Sequence, residues 1–162
     1  HRDLHSFPTR RSSDLIIVDA DFDIHKRWQK LYDALEKVGY TFDKQINADG
    51  LILSPINLPK LGVWIMPDNK ISGMLEDFIT FLVPENDKLL PEANRILDEI
   101  ETNKINNYQL IHHSKALINT WLSWQEDPGT PMGLAITKKY LSIEQQICIK
   151  FINWLISLNK ID

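Results

Sequence analysis

The chain has 162 residues, of which 43% are hydrophobic and 25% charged, with a formal net charge of −4. That length suits one domain with a real core, and the acidity excludes a broad nucleic-acid-binding surface while leaving room for a local basic groove. A single cysteine, Cys148, permits no internal disulfide and fits a reducing compartment, so a cytoplasmic location is expected. It sits in an apolar helical run and reads as a core residue rather than a nucleophile. The most apolar late stretch, Ile147–Leu158, is interrupted by Lys150 and Asn153 and is too short to cross a bilayer, so no membrane partner is expected.

Residues 1–15, His-Arg-Asp-Leu-His-Ser-Phe-Pro-Thr-Arg-Arg-Ser-Ser-Asp-Leu, match the translation of a common short-read library adaptor at every position. They read as a non-native segment and are set aside for fold reasoning. Removing them takes 162 residues to 147, the 18 basic residues to 15 and the 22 acidic ones to 20, for a net charge of −5. The first native strand is then expected to begin at the junction, near Ile16, with whatever lay upstream of it missing.

Leu15-Ile-Ile-Val-Asp-Ala-Asp-Phe-Asp23 predicts a strand buried on both faces that runs into Asp19, Asp21 and Asp23. Ligands of open α/β sheets bind outside the carboxyl ends of strands. Three carboxylates at such an edge repel one another unless a cation, basic groups or water screens them. The i, i+2 spacing places Asp19 and Asp21 on one side if the strand continues that far. Magnesium is usually held by one or two carboxylates with waters and substrate phosphates. Against this, Asp23 is well placed as the N-cap of the following helix, and Asp21 as solvated loop.

Ile24, Trp28, Leu31, Leu35 and Val38 recur at helical spacing, and Gly39 ends the run. Arg27 lies one turn past Asp23, within reach of the acidic cluster or a phosphate, although a solvated helix face explains most such charges. Residues 40–60 read as loop, with Leu51–Ser54 as an edge strand. Gly62–Met66 is a second buried strand stopped by Pro67. Asp68 follows in a turn, then a helix opening near Ser72-Gly73 with Glu76 and Asp77 in its first turns and Leu75, Phe78, Ile79 and Leu82 facing inward. Asp68, Glu76 and Asp77 are candidates for the same site as Asp19, with capping and dipole roles as the competing explanation.

Beyond Pro84 the pattern is helical: Pro91–Glu101, Ile111–Gln125, Met132–Tyr140 and Ile143–Asn159. Trp121, Trp124 and Trp154 read as core rather than a base-stacking platform. His112-His113 has no cysteine partner and no i+4 histidine, which makes a zinc site there a weak reading. Lys115 opens an otherwise apolar helix and is placed to swing toward the acidic edge.

Two segments carry a resemblance: Val-Trp-Ile-Met-Pro-Asp-Asn-Lys-Ile-Ser-Gly-Met-Leu-Glu-Asp-Phe (63–78) and Lys-Ala-Leu-Ile-Asn-Thr-Trp-Leu-Ser-Trp-Gln-Glu-Asp-Pro-Gly-Thr-Pro-Met-Gly (115–133). They resemble a bacterial domain-of-unknown-function family grouped with the Toprim-like domains, and the likeness spans residues 16–162. It implies an α/β fold: a truncated Toprim-like parallel-sheet domain, with residues 16–90 as its α/β part and 91–162 as a helical C-terminal half. It implies a glutamate after a first strand and an Asp-x-Asp after a later one, together holding one or two Mg²⁺. Asp19-Ala-Asp21 matches the Asp-x-Asp, whereas the glutamate's strand would lie upstream of residue 16. Glu76 and Asp77 resemble the further acidic position of OLD-type nucleases, and Lys115 is the candidate for their basic residue.

Three readings follow. One is a Mg²⁺-dependent nuclease or phosphotransfer module acting on DNA or RNA. Another is a non-catalytic Toprim-like module working with a partner ATPase. The third, a haloacid-dehalogenase-like phosphatase, also opens on a buried strand followed by Asp-x-Asp, but it expects Thr or Val where this chain has Asp23. Lacking the upstream glutamate, this chain is expected to bind Mg²⁺ weakly, to cleave nothing, and to leave the strand from Ile16 with an open flank.

Overall fold

The run Lys60-Leu-Gly-Val-Trp-Ile-Met66 has apolar residues at both parities, so a strand made from it must be covered on both faces. The computed structural model describes residues 13–160. Its elements are β1 (Ser13–Asp19), α1 (Ile24–Lys37), β2 (Leu51–Leu53), β3 (Lys60–Met66), α2 (Leu75–Phe81), α3 (Leu89–Thr102), a 3₁₀ turn (Leu110–His112), α4 (His113–Ser123), α5 (Met132–Ala135) and α6 (Gln146–Asn159). The sheet order is β1-β3-β2, which puts β3 in the centre.

β1 pairs with β3 in parallel, from Ser13 opposite Lys60 to Asp19 opposite Met66. β2 pairs with the other side of β3 antiparallel, Leu51 opposite Val63 and Leu53 opposite Leu61. Past the end of β2, Asn69 completes that edge. Its N–H donates to the Ile65 carbonyl at 2.9 Å, and its Oδ1 accepts from the Ile65 N–H at 2.7 Å. A turn residue thus substitutes for the missing strand, which explains why a polar side chain is buried there.

The two parities of β3 feed two separate cores. Leu61, Val63 and Ile65 pack with Ile24, Trp28 and Leu35 of α1, joined by Ile16 and Val18 of β1. Trp64 and Met66 face the helices of the second half, among Phe78, Leu82, Ile118, Trp121 and Trp154. Trp64 meets Phe151 edge-on at 5.1 Å and Trp154 at 5.4 Å, so α6 covers this face through aromatic contacts. Gly62 makes the approach of α6 possible: a Cβ there would stand 2.7 Å from Leu158 Cδ2.

β1 and β3 are direct neighbours, the edge strand at Leu51 is present, and no strand occurs beyond Met66 among the described residues. Several expectations need correction. The sheet is mixed rather than parallel, because β2 runs antiparallel. β1 begins at Ser13 rather than Ile16, since Ser13 to Leu15 find ladder partners on Lys60 to Gly62. The segment read as an adaptor otherwise lies outside the described residues.

β1 is also covered on one face only. Ile16 and Val18 pack under α1, whereas Leu15 and Ile17 are 48% and 39% exposed on the opposite face. Val38 and Leu75 are exposed rather than inward, and Trp124 is exposed while Trp121 and Trp154 are buried. The α-helix expected over 132–140 stops at Ala135. Cys148 is buried, as expected for a core residue, and burial raises its thiol pKa.

Two outcomes follow. Gly62→Ala should destabilise the fold by about 1–3 kcal/mol in chemical denaturation, because Leu158 and Trp154 must move. The outer edge of β1 has no strand partner among the described residues, and Leu15 and Ile17 lie exposed beside it. Self-association should therefore rise with concentration in sedimentation velocity, and Ile17→Lys should suppress it by placing a charge on the exposed strand.

Candidate functional site

The carboxyl ends of β1 and β3 lie together because the two strands are parallel and in register, with Asp19 opposite Met66. Immediately past Asp19 the chain leaves the ladder. Ala20 is buried and its N–H donates to the Met66 carbonyl at 3.1 Å. Asp21 then takes φ +55° and exchanges two backbone hydrogen bonds with Gly73, at 2.9 and 2.8 Å. That pairing stitches the turn after β1 to the turn before α2. Gly73 has φ +147°, and a Cβ there would stand 2.8 Å from Asp77 Oδ2, so the close approach needs glycine. The strand does not extend to Asp21. What brings Asp21 to the site is a turn, not the alternation of a strand.

The acidic residues divide by what already occupies them. Asp23 accepts from the Lys26 N–H at 3.0 Å and is the N-cap of α1. Asp68 accepts from the N–H groups of Lys70 and Ile71 at 2.9 and 3.0 Å, closing its own turn. Asp77 accepts from the Met74 N–H at 2.7 Å and from the Ser114 hydroxyl at 2.5 Å, which ties α2 to the start of α4. Asp21 is ion-paired with Arg27.

Asp19 and Glu76 form no ion pair among the described residues. Asp19 accepts one hydrogen bond, from the Leu75 N–H at 2.9 Å. Its pKa is raised above the ordinary carboxyl value: burial is the largest cause, and the neighbouring charges of Glu76 and Asp21 add to it. The Leu75 N–H and Arg27 oppose the rise without cancelling it.

Two clefts flank Asp21. One, of about 280 Å³, is lined by Ser72, Gly73, Asp77, His113 and Ser114 among others. The second, also about 280 Å³, is walled by Lys26, Arg27 and Lys30 on the exposed side of α1. Lys115 lies elsewhere: it lines a third cavity, with Tyr108, His112, Ala116 and Asn119, that shares none of the acidic residues. Ser72, Gly73, His113 and Ser114 were not singled out from sequence as site residues. They come from two segments far apart in the chain, and no spacing rule joins them.

A family model described as "Protein of unknown function (DUF3226)" matches residues 13–160, essentially every residue described. The chain belongs to that family. Its match includes Ser13 to Leu15, in agreement with the strand boundary seen in the sheet. No curated protein and no solved structure matches the chain. No helix among the described residues is long and apolar enough to cross a membrane.

The raised Asp19 pKa has a sign that can be checked. The native state holds this proton to higher pH than the unfolded chain does, so ionising Asp19 lowers stability as pH rises past 3.8. Asp19→Asn keeps an acceptor for the Leu75 N–H and removes the charge. It should raise the melting temperature at pH 7 by about 1–2 °C, for a half-exposed charge discounted by solvent screening. The gain should vanish at pH 3, where both proteins carry an uncharged side chain.

Proposed function

We propose that the carboxyl edge of β1 and β3 binds a divalent cation of the Mg²⁺ type beside a phosphate-bearing ligand, in a module for phosphodiester chemistry on DNA or RNA. The observation that carries this reading is the juxtaposition of two unlike surfaces at Asp21. On one side stand carboxylates that form no ion pair among the described residues, and on the other a cleft walled by Lys26, Arg27 and Lys30. Burial raises the Asp19 pKa most, repulsion from Glu76 and Asp21 adds to it, and a bound cation would relieve that repulsion. Two available carboxylates are also the number that Mg²⁺ commonly takes from protein, with waters and phosphate oxygens filling the remaining positions.

In this reading Asp19 and Glu76 hold the ion. When bound, it supplies Lewis-acid polarisation of a phosphoryl oxygen and lowers the pKa of a coordinated water. The Leu75 N–H fixes the Asp19 carboxylate through Oδ1 and leaves its other oxygen free. Lys26 and Lys30 draw the phosphate backbone toward the edge. Arg27, held against Asp21 in the absence of ligand, can exchange that carboxylate for a phosphate with bidentate geometry. The basic role proposed from the resemblance for Lys115 fits Arg27 better, because Arg27 lines the cleft that contains Asp21.

The competing reading, a non-catalytic Toprim-like module that serves a partner ATPase, draws on a different observation. The acidic residues of this edge do not form a ready three-ligand set, since Asp21, Asp23, Asp68 and Asp77 are engaged by other groups. Binding of Mn²⁺ followed by electron paramagnetic resonance separates the two. Under the first reading the chain binds Mn²⁺, and Asp19→Asn and Glu76→Gln each weaken it about tenfold or more. Unchanged affinity in both variants would remove the cation site and favour the second reading. Mg²⁺-dependent cleavage of DNA or RNA that is lost in Asp19→Asn and Glu76→Gln would support phosphodiester chemistry at this edge.

A further inference from the structure

Where the end of α3 packs against the start of α4, side chains converge around His113, which also lines the cleft beside Asp21. Glu101 and Asp98 lie one turn apart at the end of α3, and His113 opens α4. Each offers one donor atom, and these atoms all lie within 4.8 Å of one another. Among the described residues no other three histidine, cysteine, aspartate or glutamate side chains meet this way.

The supporting shell is already in place. The Tyr108 hydroxyl donates to Glu101 Oε1 at 2.8 Å, and Asn94 Nδ2 donates to Asp98 Oδ2 at 2.9 Å. Each ligand carboxylate is therefore oriented by a neighbour, as carboxylates around protein-bound metals usually are.

The imidazole of His113 poses a problem of hydrogen-bond economy. Nδ1 stands 2.8 Å from Glu101 Oε1, and Nε2 stands 3.1 Å from Asn94 Oδ1. Both neighbours are acceptors, and the Asn94 amide cannot turn round without pointing its oxygen at the Asp98 carboxylate. A neutral imidazole has one N–H and can satisfy only one of the two. One of the two acceptors is therefore left without a donor by a neutral ring, and a metal ion bound at Nδ1 would occupy that position while Nε2–H donates to Asn94.

We propose that Asp98, Glu101 and His113 form a binding site for a transition-metal divalent cation of the Zn²⁺ class, which clamps the end of α3 to the start of α4. One imidazole and two carboxylates suit Zn²⁺ or Co²⁺ and disfavour Mg²⁺ and Ca²⁺, which prefer oxygen-only ligands. Ligands around tetrahedral zinc stand about 3.3 Å apart, so the 2.8 Å contact between His113 and Glu101 must open and spacings of up to 4.8 Å must close, by side-chain shifts of about 1 Å. Asp98 is exposed, which leaves a route of entry for the ion and a fourth position for water. The zinc reading of His112-His113 was weak in the sequence because it sought cysteine or a second histidine. The ligands that meet His113 are carboxylates from another helix. The site does not depend on the cation reading at Asp19.

Titration of the full chain with Co²⁺ tests it, read by visible absorption and by thermal denaturation. The expected result is one strong site whose absorption identifies a low-coordinate, imidazole-bound ion, displaced by Zn²⁺ and accompanied by a higher melting temperature. His113→Gln should weaken binding about a hundredfold and Asp98→Asn at least tenfold, while His112→Gln leaves it within about twofold. Asp98→Asn changes an exposed side chain and keeps the fold, so it decides the matter even if His113→Gln folds poorly. Absence of a strong site in the unaltered chain, or binding by the Asp98→Asn and His113→Gln variants as strong as that of the unaltered chain, would overturn the proposal.

Discussion

The rest of the molecule depends on the double coverage of β3. Its odd-numbered residues, Leu61, Val63 and Ile65, bury against α1, and its even-numbered ones, Trp64 and Met66, bury against helices from the second half. A strand buried on both faces cannot shift by one residue without driving Trp64 into the space that Val63 and Ile65 occupy, so its register is strongly fixed. Because β1 pairs with β3 in parallel, that fixed register also sets the level at which Asp19 leaves the sheet. The position of the candidate site is thus a consequence of core packing some distance below it.

What happens above that level is decided by hydrogen bonding rather than by burial. Backbone groups at the end of a parallel ladder need partners, and here the turn after β1 and the turn before α2 satisfy each other through Asp21 and Gly73. Asp23, Asp68 and Asp77 then serve backbone N–H groups of their own helix or turn. Each such bond holds a carboxylate in one orientation and takes up the lone pairs that a ligand would otherwise use. Asp19 and Glu76 are the remainder of this distribution, and their mutual repulsion is tolerated because the core beneath them determines where they sit.

Much of this was legible in the sequence, and the reasons differ by element. Ile24, Trp28 and Leu35 recur at a period that only a helix brings to one side, and α1 follows within a residue of the expected bounds. Gly62–Met66 was identifiable as buried because apolar residues at both parities leave no solvent face. The same argument failed for Leu15–Val18: an equally apolar run proved to be covered on one face only. A continuous apolar run shows that burial would be favourable and does not show that a covering element exists. The antiparallel direction of β2 was equally hidden, since three residues carry no signal of polarity. At the site, the acids near Asp19 could be found from their position after strands. The role of each was set by partners such as Arg27, Ser114 and Leu75, whose approach depends on the tertiary fold.

The direction in which burial and partners move a carboxyl pKa distinguishes two kinds of acid in this protein. Burial pushes the Glu101 carboxyl up, but hydrogen bonds from His113 and Tyr108 outweigh it, and the net shift is downward. In the same contact, burial and the Glu101 hydrogen bond push the Tyr108 hydroxyl up to about 12. Ionised Glu101 therefore stabilises the fold above its ordinary value of 4.5, and this contribution is lost as pH falls through the lowered native pKa. Asp19 behaves in the opposite way, because its ionisation is disfavoured by folding. An acid whose charge the fold supports is acting in the structure as it stands. An acid whose charge the fold opposes, as at Asp19 beside Glu76 and Asp21, is held in place by the packing of the strands beneath it more than by partners of its own.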